Sequence, residues 1–547
     1  MLIASEPPER IGLDRRRALQ SGEPVLPGPA FPPIPGPLNQ WPVYATISRG
    51  APGCCGALPG AIPCSPLPDP WKSVHYISTR DRRSRPERLS FGEMLLAGLA
   101  RDGGLYVPAE WPRFDADRVR ALAGRSYAEI AVAVIAPFIG EEIDAAALGR
   151  LVDAAYAGFG HAAVAPLKQL APDLWLLELF HGPTLAFKDY ALQLVGRLFD
   201  HVLAQRGERV TIIGATSGDT GSAAIEACRD RAALDIFILY PRGRISEVQR
   251  RQMTTVASPN VHAIAIEGTF DDCQDLVKAM FADTPFRDAL RLSAVNSINW
   301  ARIMAQAVYY FVAAVALGAP DRKVGFSVPT GNFGNVFAAH VARRMGLPIA
   351  ELIIGTNRND ILARFINQGT MTIQGVEPSL SPSMDIQVSS NFERLLFELK
   401  GRNGAAVADA IAAFRATGTL PATDAEWQSA RRLFNAHRVD DEATRAAIAA
   451  TWRSTGELID PHSAVALAAA QAVRQNRAMP MVSLACAHPA KFPEAVESAT
   501  GRRPALPPRL ADLMSRPERI TALPNDLRAV ENHLRAHARG AARGGAA

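Results

Sequence analysis

Short apolar runs alternate with longer amphipathic segments through most of the chain. Seven of these runs predict strands, at residues 174–180, 210–215, 235–240, 261–266, 292–295, 324–328 and 352–356. Helix-length patterns lie between most of them, for example at residues 300–317 and 333–344. Near-continuous apolar strands that alternate with helices are typical of a parallel sheet covered on both faces. The pattern therefore predicts an α/β protein.

The first 72 residues do not follow this alternation. Stretches such as residues 24–37 are so rich in proline that they cannot sustain a helix or a strand ladder. We expect residues 1–72 to be a disordered leader, or the result of a start codon assigned too far upstream. A proline-rich ligand for a partner domain is the alternative.

Three further regions are predicted after this leader. Residues 73–158 carry helical patterns, beginning with the capping-box pair Ser90 and Glu93, and predict a small helix-rich unit. The strand–helix alternation over residues 159–500 predicts the main core. The Arg-, Pro- and Ala-rich residues 501–547 predict a helix followed by a frayed tail.

Composition narrows the class of protein. A chain of 547 residues with 48% hydrophobic and 21% charged residues is ordinary for a globular enzyme of several structural units. A net charge of +5 without a basic stripe argues against a nucleic-acid partner. Apolar segments are interrupted before membrane-spanning length, and the N-terminus does not resemble a secretory signal. Six cysteines without a repeated spacing indicate neither a disulfide framework nor a zinc site, so we expect a cytoplasmic protein without a metal.

One lysine has an unusual setting. Lys188 follows an apolar strand and a Gly-Pro turn, and it precedes a helical pattern in the segment HGPTLAFKDY, residues 181–190. Desolvation disfavours an ammonium group, so Lys188 is a candidate for a neutral amine that forms a Schiff base. The alternative, taken from this residue alone, is a solvated lysine in the first turn of a helix.

Two glycine-containing loops follow predicted strands. In the first, residues 216–221 (TSGDTG) place the hydroxyls of Thr216, Ser217 and Thr220 beside the start of a helix, which suits a carboxylate or a phosphate. In the second, residues 329–335 (PTGNFGN) combine Gly331 and Gly334 with the side-chain donors of Asn332 and Asn335, which suits a phosphate held without a metal. An ordinary capped turn is the alternative for each loop. Neither has the spacing of a Walker loop or of a dinucleotide fingerprint.

These segments together resemble one family. The resemblance to threonine synthase, in the longer form of many bacteria and fungi, lies in residues 181–190, 215–222 (ATSGDTGS), 295–303 (VNSINWARI), 330–335 (TGNFGN) and 487–492 (AHPAKF). Residues 76–80 (YISTR) resemble the usual beginning of that family. The likeness extends from about residue 74 to the C-terminal region, and it leaves the proline-rich leader outside.

The resemblance implies a fold and a reaction. The fold would be that of the tryptophan-synthase-β type (fold type II) of pyridoxal-phosphate enzyme, with two α/β subdomains and the cofactor between them. The reaction would convert O-phospho-L-homoserine and water to L-threonine and phosphate by γ-elimination and β-addition of water. We expect this small molecule to be the partner, and the protein to be a monomer or a weak homodimer.

The resemblance also implies roles for individual residues. Lys188 would form the Schiff base with the cofactor and then carry protons at the α and β carbons of the substrate. The cofactor would further be bound by Asp219, Gly331, Asn332, Phe333, Gly334, Asn335 and Cys486. The substrate would be bound by Thr216, Thr220, Asn296, Ser297 and Arg302. Arg302 offers paired donors to a phosphate, although a helix-start arginine on a solvated face is the alternative.

One position departs from the family pattern. Cys486 stands where the family usually has threonine, as the partner of the pyridine nitrogen. A thiol is a weaker hydrogen-bonding group, but it is small and neutral. We therefore expect activity to be retained, with some change in the electronic tuning of the ring.

Three other functions compete with this one. The nearest is another pyridoxal-phosphate lyase of the same fold, such as a serine or threonine dehydratase or a phospho-amino-acid lyase. A dehydratase that acts on an unphosphorylated amino acid would not need the phosphate-binding residues that the segment 296–302 predicts. A catalytically inactive relative that acts in binding or signalling is opposed by the presence of Lys188 with both loops. A nucleotide-binding protein is opposed by the loop spacings.

Overall fold

The predicted alternation of strands and helices is observed in a computed structural model, which describes residues 74–216, 218–294 and 297–539. The predicted leader over residues 1–72 and the last residues of the predicted tail lie outside the described residues. None of the described helices is both long enough and apolar enough to cross a membrane.

Fifteen strands are found within the described residues. They are β1 (Tyr76–Ser78), β2 (Tyr106–Pro108), β3 (Leu167–Ala171), β4 (Leu174–Glu178), β5 (Val210–Ala215), β6 (Leu234–Pro241), β7 (Val261–Glu267), β8 (Leu292–Ser293), β9 (Val324–Pro329), β10 (Ile349–Thr356), β11 (Thr370–Thr372), β12 (Thr419–Pro421), β13 (Phe434–Arg438), β14 (Met481–Ala485) and β15 (Thr521–Pro524). All seven predicted strands are among them; β5 has the predicted bounds, and the ends of the others differ by one to a few residues.

Nineteen α-helices are found in the same part of the chain. They are α1 (Phe91–Ala97), α2 (Ala116–Arg120), α3 (Tyr127–Ile139), α4 (Ala145–Tyr156), α5 (Lys188–Arg206), α6 (Asp219–Cys228), α7 (Glu247–Thr254), α8 (Phe270–Ala282), α9 (Thr284–Leu290), α10 (Trp300–Ala316), α11 (Gly334–Arg344), α12 (Ile361–Gln368), α13 (Phe392–Leu399), α14 (Gly404–Thr417), α15 (Asp424–Arg431), α16 (Asp441–Thr455), α17 (Pro461–Val473), α18 (Pro493–Thr500) and α19 (Leu527–His537). The capping box predicted at Ser90 is formed at the start of α1.

The core contains two separate sheets, whereas the alternation of strands and helices predicted parallel pairing without showing how many sheets there are. The larger sheet has the order β13-β10-β9-β14-β4-β3, and all its pairs are parallel except β3 with β4. The smaller sheet has the order β15-β7-β6-β5-β8 and is parallel throughout. The sequence did not predict β15, which extends the smaller sheet beyond β7.

The stretch for which a helix-rich unit was predicted, residues 73–158, contains α1 to α4 and a ribbon in which β1 pairs with β2 antiparallel. Its helix α3 packs against α10, a helix buried along nearly its whole length that also contacts α5 and α11. Helix α10 therefore lies between the helices that begin at Lys188 and at Gly334. In parallel sheets, residues that follow neighbouring strands converge at the carboxyl edge. Strands β4, β9 and β14 are neighbours, and the segments after them form the site described next.

Candidate active site

Lys188 is the first residue of α5, as the sequence predicted, and it is only 7% exposed. The turn that leads into this helix is tied to the segment after β14. Ala186 forms an isolated antiparallel bridge with Ala487, and the Phe187 N–H donates to the Cys486 carbonyl at 2.8 Å. The backbone therefore places Lys188 and Cys486 side by side, although nearly 300 residues separate them in the chain.

The Lys188 amine has one hydrogen-bonding partner in the described chain. Its Nζ lies 3.3 Å from Asp219 Oδ2. Burial lowers the pKa of Lys188; the charge of Asp219 opposes this effect, and the nearby charge of Lys491 adds to it. The result is a pKa below the ordinary value for lysine, which favours a neutral and nucleophilic amine.

Asp219 begins α6 and is surrounded by three donors. Lys491 Nζ lies 2.7 Å from Oδ1, Gln249 Nε2 donates to the same oxygen at 2.8 Å, and Lys188 approaches Oδ2. Burial alone would raise the pKa of Asp219, but Lys491 and then Lys188 outweigh it and hold the pKa well below the usual range. Asp219 is therefore a buried carboxylate that stays ionised.

Lys491 was not among the predicted site residues, although it lies in the segment that carried the resemblance. It ends the single helical turn Pro489–Lys491, is 0% exposed, and donates to the Thr184 carbonyl at 2.8 Å. A fully buried lysine is rare unless it is paired. In the sequence, the only signal was a lysine among small and apolar neighbours.

The loop after β5 is folded back on itself. Thr216 Oγ1 accepts from the N–H groups of Gly218 and Gly221 at 3.0 and 2.8 Å, so this hydroxyl organises the loop backbone. Gly218 has φ 139°, where an added Cβ would also lie 2.5 Å from Gln249 Cδ. Thr220 is half-buried at the start of α6, and Ser217 lies outside the described residues. The helix begins at Asp219, about three residues before the start near Ser222 that the sequence pattern predicts.

The loop after β9 presents backbone N–H groups. Phe333 adopts φ 64° and caps α11, whose first intrahelical bond runs from the Phe337 N–H to the Phe333 carbonyl. The N–H groups of the preceding residues in the first turn, Gly334 and Asn335 among them, therefore have no intrahelical acceptor. Such groups at a helix N-terminus bind anions.

The asparagines of this loop hold it in place. Asn335 Oδ1 accepts from Tyr309 and Tyr310, and its Nδ2 lies 3.8 Å from Cys486 Sγ. Asn332 Oδ1 accepts from Ser390 at 3.1 Å. The two side chains were expected to add donors for a phosphate; here their carbonyl oxygens accept bonds from the surrounding scaffold.

Cys486 follows β14 and is nearly fully buried. Burial and the charge of Asp460 raise the pKa of its thiol well above the ordinary value. Its backbone N–H donates to Ser463 Oγ at 3.1 Å, and the Ser463 hydroxyl in turn donates to Asp460. Cys486 is therefore a neutral thiol on a rigid support.

Arg302 lies in the first turn of α10 and is 4% exposed. Its Nε and Nη1 have no hydrogen-bonding partner among the described residues, and burial lowers its pKa to about 10. Ser297 Oγ lies 3.5 Å from Ser390 Oγ, which bonds to Asn332, so the segment before α10 reaches the second loop. Asn296 lies outside the described residues. A buried guanidinium without an anion is expensive, which indicates a site built for a bound anion.

Two histidines near the site have structural contacts. His181 Nε2 lies 2.7 Å from Glu178 Oε2. His488 Nδ1 accepts from the Ala490 N–H at 3.2 Å, and burial lowers the pKa of His488 to about 4. Each histidine lies in a turn beside a glycine or a proline, a position that predicts a structural hydrogen-bonding role and not acid–base catalysis, and the contacts agree with that prediction.

The chemistry of these groups fits pyridoxal phosphate. The cofactor needs an amine of lowered pKa, an anion site for its phosphate and a buried neighbour for its ring nitrogen. Lys188, the first turn of α11 and Cys486 have these properties, and Arg302 retains two buried N–H groups for a second anion.

Comparisons with known proteins agree with this chemistry. Three family models match the chain: the threonine synthase N terminus over residues 75–156, the pyridoxal-phosphate dependent enzyme over residues 158–424, and the threonine synthase C-terminal model over residues 463–534. A threonine synthase of Pseudomonas aeruginosa is 58% identical over 465 residues, which cover 85% of this chain and 98% of that protein.

Solved structures give the same result. The crystal structure of threonine synthase from Brucella melitensis with bound pyridoxal phosphate matches with a TM-score of 0.84 and 56% identity, over 85% of this chain and 100% of that chain. Yeast threonine synthase matches with a TM-score of 0.81 and 38% identity, over 85% and 99%. The fold of type II, the cofactor pyridoxal phosphate and the lyase class are thereby confirmed. The chain belongs to the threonine synthase family.

Proposed function

We propose that this protein converts O-phospho-L-homoserine and water to L-threonine and phosphate, the last step of threonine biosynthesis. The observation that carries the substrate assignment is Arg302, a buried guanidinium with two N–H groups that have no acceptor in the described chain. A substrate with a phosphate group would supply that acceptor. An unphosphorylated amino acid would leave the guanidinium buried and unpaired, which costs several kcal/mol.

The cofactor would be held at three points. Lys188 would bond to its aldehyde carbon, the first turn of α11 with residues 331–335 would bind its phosphate, and Cys486 would face its ring nitrogen. When bound, pyridoxal phosphate accepts the electrons released from the Cα–H bond. Asp219 would keep the region around Lys188 polar and charged while water is largely excluded from it.

The substrate would lie between the first loop and α10. Thr216 and Thr220 belong to the loop that begins α6, and Ser297 and Arg302 to the segment that begins α10. Asn296, the remaining predicted substrate contact, precedes Ser297 in the sequence. Arg302 would bind the substrate phosphate through paired N–H groups and would remain bound to it as it leaves from Cγ. Fixing the leaving group in this way also orients Cα and Cβ relative to Lys188.

Lys188 would then move the protons. Its amine, once released from the cofactor, is a base of lowered pKa beside the substrate and takes the proton from Cα. The same group would return protons as water adds at Cβ. A pKa brought closer to neutral pH allows a single group to accept and donate in one cycle.

The test is product analysis with the purified full-length protein and O-phospho-L-homoserine. We expect phosphate and threonine in equal amounts, and neither product from Lys188→Ala. Phosphate with 2-oxobutyrate and without threonine would contradict the synthase assignment and favour a lyase that eliminates only. A preference for O-phospho-L-serine, whose side chain is one carbon shorter, would contradict the assignment of O-phospho-L-homoserine as the substrate.

We also propose that the protein acts in the cytoplasm as a monomer or a weak homodimer. The cysteines of the described chain, Cys228, Cys273 and Cys486, are free and buried thiols, which supports a reducing compartment. Gel filtration with light scattering across a range of protein concentrations would contradict the oligomeric part if it gave a concentration-independent tetramer.

A further inference from the structure

Two buried lysines share a single carboxylate in this site. Lys491 Nζ lies 2.7 Å from Asp219 Oδ1, and Lys188 Nζ lies 3.3 Å from Asp219 Oδ2. If both amines were protonated, one carboxylate would face two ammonium groups in a region shielded from water. One negative charge compensates only one buried positive charge, so one of the lysines is favoured as the neutral amine.

The two amines differ in the number of acceptors around them. Lys491 is 0% exposed and has two acceptors, Asp219 and the Thr184 carbonyl at 2.8 Å. Lys188 has the longer contact with Asp219 and no second acceptor within the described residues. An ammonium group carries three N–H donors, and more of these donors have an acceptor in Lys491 than in Lys188. Lys491 is therefore the better-satisfied cation, and Lys188 is the amine that more readily loses a proton.

The surroundings of Lys491 are built to hold it. Gln252 Nε2 donates to the same Thr184 carbonyl at 3.0 Å, and Gln249 donates to Asp219 at 2.8 Å. The neighbouring carboxyl of Asp189 is bound by the Thr184 N–H at 2.8 Å and by the Thr184 hydroxyl at 2.6 Å. Thr184 therefore binds Asp189 through its N–H and hydroxyl groups, and its carbonyl accepts from both Gln252 and Lys491.

Other titratable groups also face the two amines. Asp219, Lys491 and Cys486 act on Lys188, and His462 contributes to the field at Asp219. Cys486 remains a neutral thiol. Asp189 also interacts with Lys491, but burial raises the pKa of this carboxyl above its ordinary value, which favours its neutral form. Lys491 and Asp219 are therefore the charged groups that act most directly on Lys188.

We propose that Lys491 is a positioning residue for the reaction: it pairs with Asp219 as the permanent cation of the site, and its charge leaves Lys188 as the unprotonated amine that bonds to the cofactor. The proposal rests on Lys188 as the cofactor-bound lysine. The Nζ lone pair of Lys188 forms a C–N bond with the aldehyde carbon, and the aldehyde oxygen leaves as water. A protonated Lys188 has no lone pair for this step.

Removing Lys491 has a definite sign. Without it, Asp219 and Lys188 form a simple buried ion pair, in which the carboxylate raises the pKa of Lys188 and the repulsion from a second ammonium is absent. Lys188 then stays protonated to higher pH, and bond formation with the cofactor becomes slow at neutral pH. Lys491→Arg keeps the charge and serves as the conservative control.

The experiment follows the full-length protein, freed of cofactor, as pyridoxal phosphate is added across a range of pH. The absorption band near about 410–420 nm reports the bond to lysine. In Lys491→Gln, we expect the pH midpoint of the rate to rise by about one to two units, and in Lys491→Arg by less than about half a unit. An unchanged midpoint in folded Lys491→Gln would overturn the proposal.

A second variant separates charge from packing. In Lys491→Gln/Asp219→Asn, both charges are absent, and burial alone acts on Lys188, so we expect the midpoint to fall back below that of Lys491→Gln. A midpoint as high as in the single variant would overturn the charge mechanism. If Lys491→Gln does not fold, borohydride reduction of the wild-type holoenzyme fixes the cofactor to the lysine that binds it, and peptide mapping identifies that lysine. Cofactor attached to Lys188 supports the proposal, and cofactor attached to Lys491 overturns it. None of these readouts uses O-phospho-L-homoserine, so they are independent of the substrate assignment.

Discussion

The two glycine-containing loops have the same layout in the sequence but serve different purposes in the structure. Each follows a parallel strand and begins a helix, α6 in one case and α11 in the other. In the first loop, Thr216 occupies the N–H groups of Gly218 and Gly221, and Asp219 carries a charge that two lysines share. In the second loop, the asparagine side chains bond to the scaffold behind them, and the first turn of α11 keeps its N–H groups.

This difference indicates how the site divides its tasks. The loop at α6 places a carboxylate that sets the charge around Lys188, while the loop at α11 offers backbone donors without a charged side chain. A cofactor phosphate suits the second arrangement, because backbone N–H groups at a helix start bind anions without a metal. The variants below alter one loop or one anion site at a time, in order of decreasing expected effect.

Asp219→Asn should have the largest effect. Among the described residues, Asp219 is the carboxylate that both Lys188 and Lys491 contact, and the substitution replaces one of its oxygens with an amide NH₂ group. We expect kcat to fall about 10²- to 10⁴-fold, as for loss of acid–base control. Steady-state kinetics at saturating cofactor would measure this change. A fall in kcat of less than tenfold would contradict the role of the Asp219 carboxylate in controlling the charge around Lys188.

Arg302→Lys should act on the substrate and leave the cofactor bound. A lysine offers a point charge in place of paired planar donors, so we expect KM for O-phospho-L-homoserine to rise about tenfold or more. Arg343→Lys, at an exposed position in the last turn of α11, is the matched control. Equal effects of the two substitutions would contradict a role of Arg302 in phosphate binding.

Tyr309→Phe/Tyr310→Phe should weaken the second loop by removing the hydrogen bonds that hold Asn335. Both hydroxyls donate to Asn335 Oδ1, and their removal leaves a buried carbonyl without these donors. We expect the dissociation constant of pyridoxal phosphate to rise about tenfold, with KM for the substrate changed less. Fluorescence titration of the cofactor-free protein would measure this constant. An unchanged constant would remove the scaffold role of Asn335.

Thr216→Val should weaken the first loop by a smaller amount. The substitution leaves the N–H groups of Gly218 and Gly221 without their acceptor, which we expect to lower the free energy of unfolding by about 1–3 kcal/mol. Thr220→Val is the matched control for stability, since the Thr220 hydroxyl has no hydrogen bond within the described residues. Urea unfolding of both variants would measure the free energy of unfolding. Equal values for the two variants would contradict the role of the Thr216 hydroxyl in holding the loop.

Cys486→Thr should change least. The raised pKa of the thiol keeps it protonated across the ordinary working range, so neither residue carries charge toward the ring nitrogen. We expect turnover within about tenfold of the wild type and the same limbs in the pH–rate profile. A new titration limb in the wild type that Cys486→Thr abolishes would show that the thiol ionises during the reaction.

Local patterns were enough to predict much of the fold and part of the site. Strand β5 was predicted at its observed bounds, and Lys188 was placed at a helix start, because apolar periodicity and turn residues act within a few positions. The strands β13 and β15 were missed: one carries Asn, His and Arg, and the other is a four-residue strand that ends in proline. Each is stabilised by pairing with a distant strand and not by its own pattern.

The same distinction explains what was missed in the site. Lys491 lay inside a quoted motif, but its pairing with Asp219 joins positions 272 residues apart in the chain. The sequence singled out Thr216 and Asn335 as polar candidates after strands, but the direction of their side chains depends on neighbours that only the fold supplies. The sequence therefore identifies candidate polar residues near a loop, but it does not predict the direction of their side chains.

The central claim is that two separate anion sites serve cofactor and substrate. Phosphorus NMR of the holoenzyme saturated with a phosphonate analogue of O-phospho-L-homoserine tests it directly. We predict two bound phosphorus signals in the wild type, and in Arg302→Gln the cofactor signal alone. Retention of both signals in that variant, or loss of both together, would contradict the account.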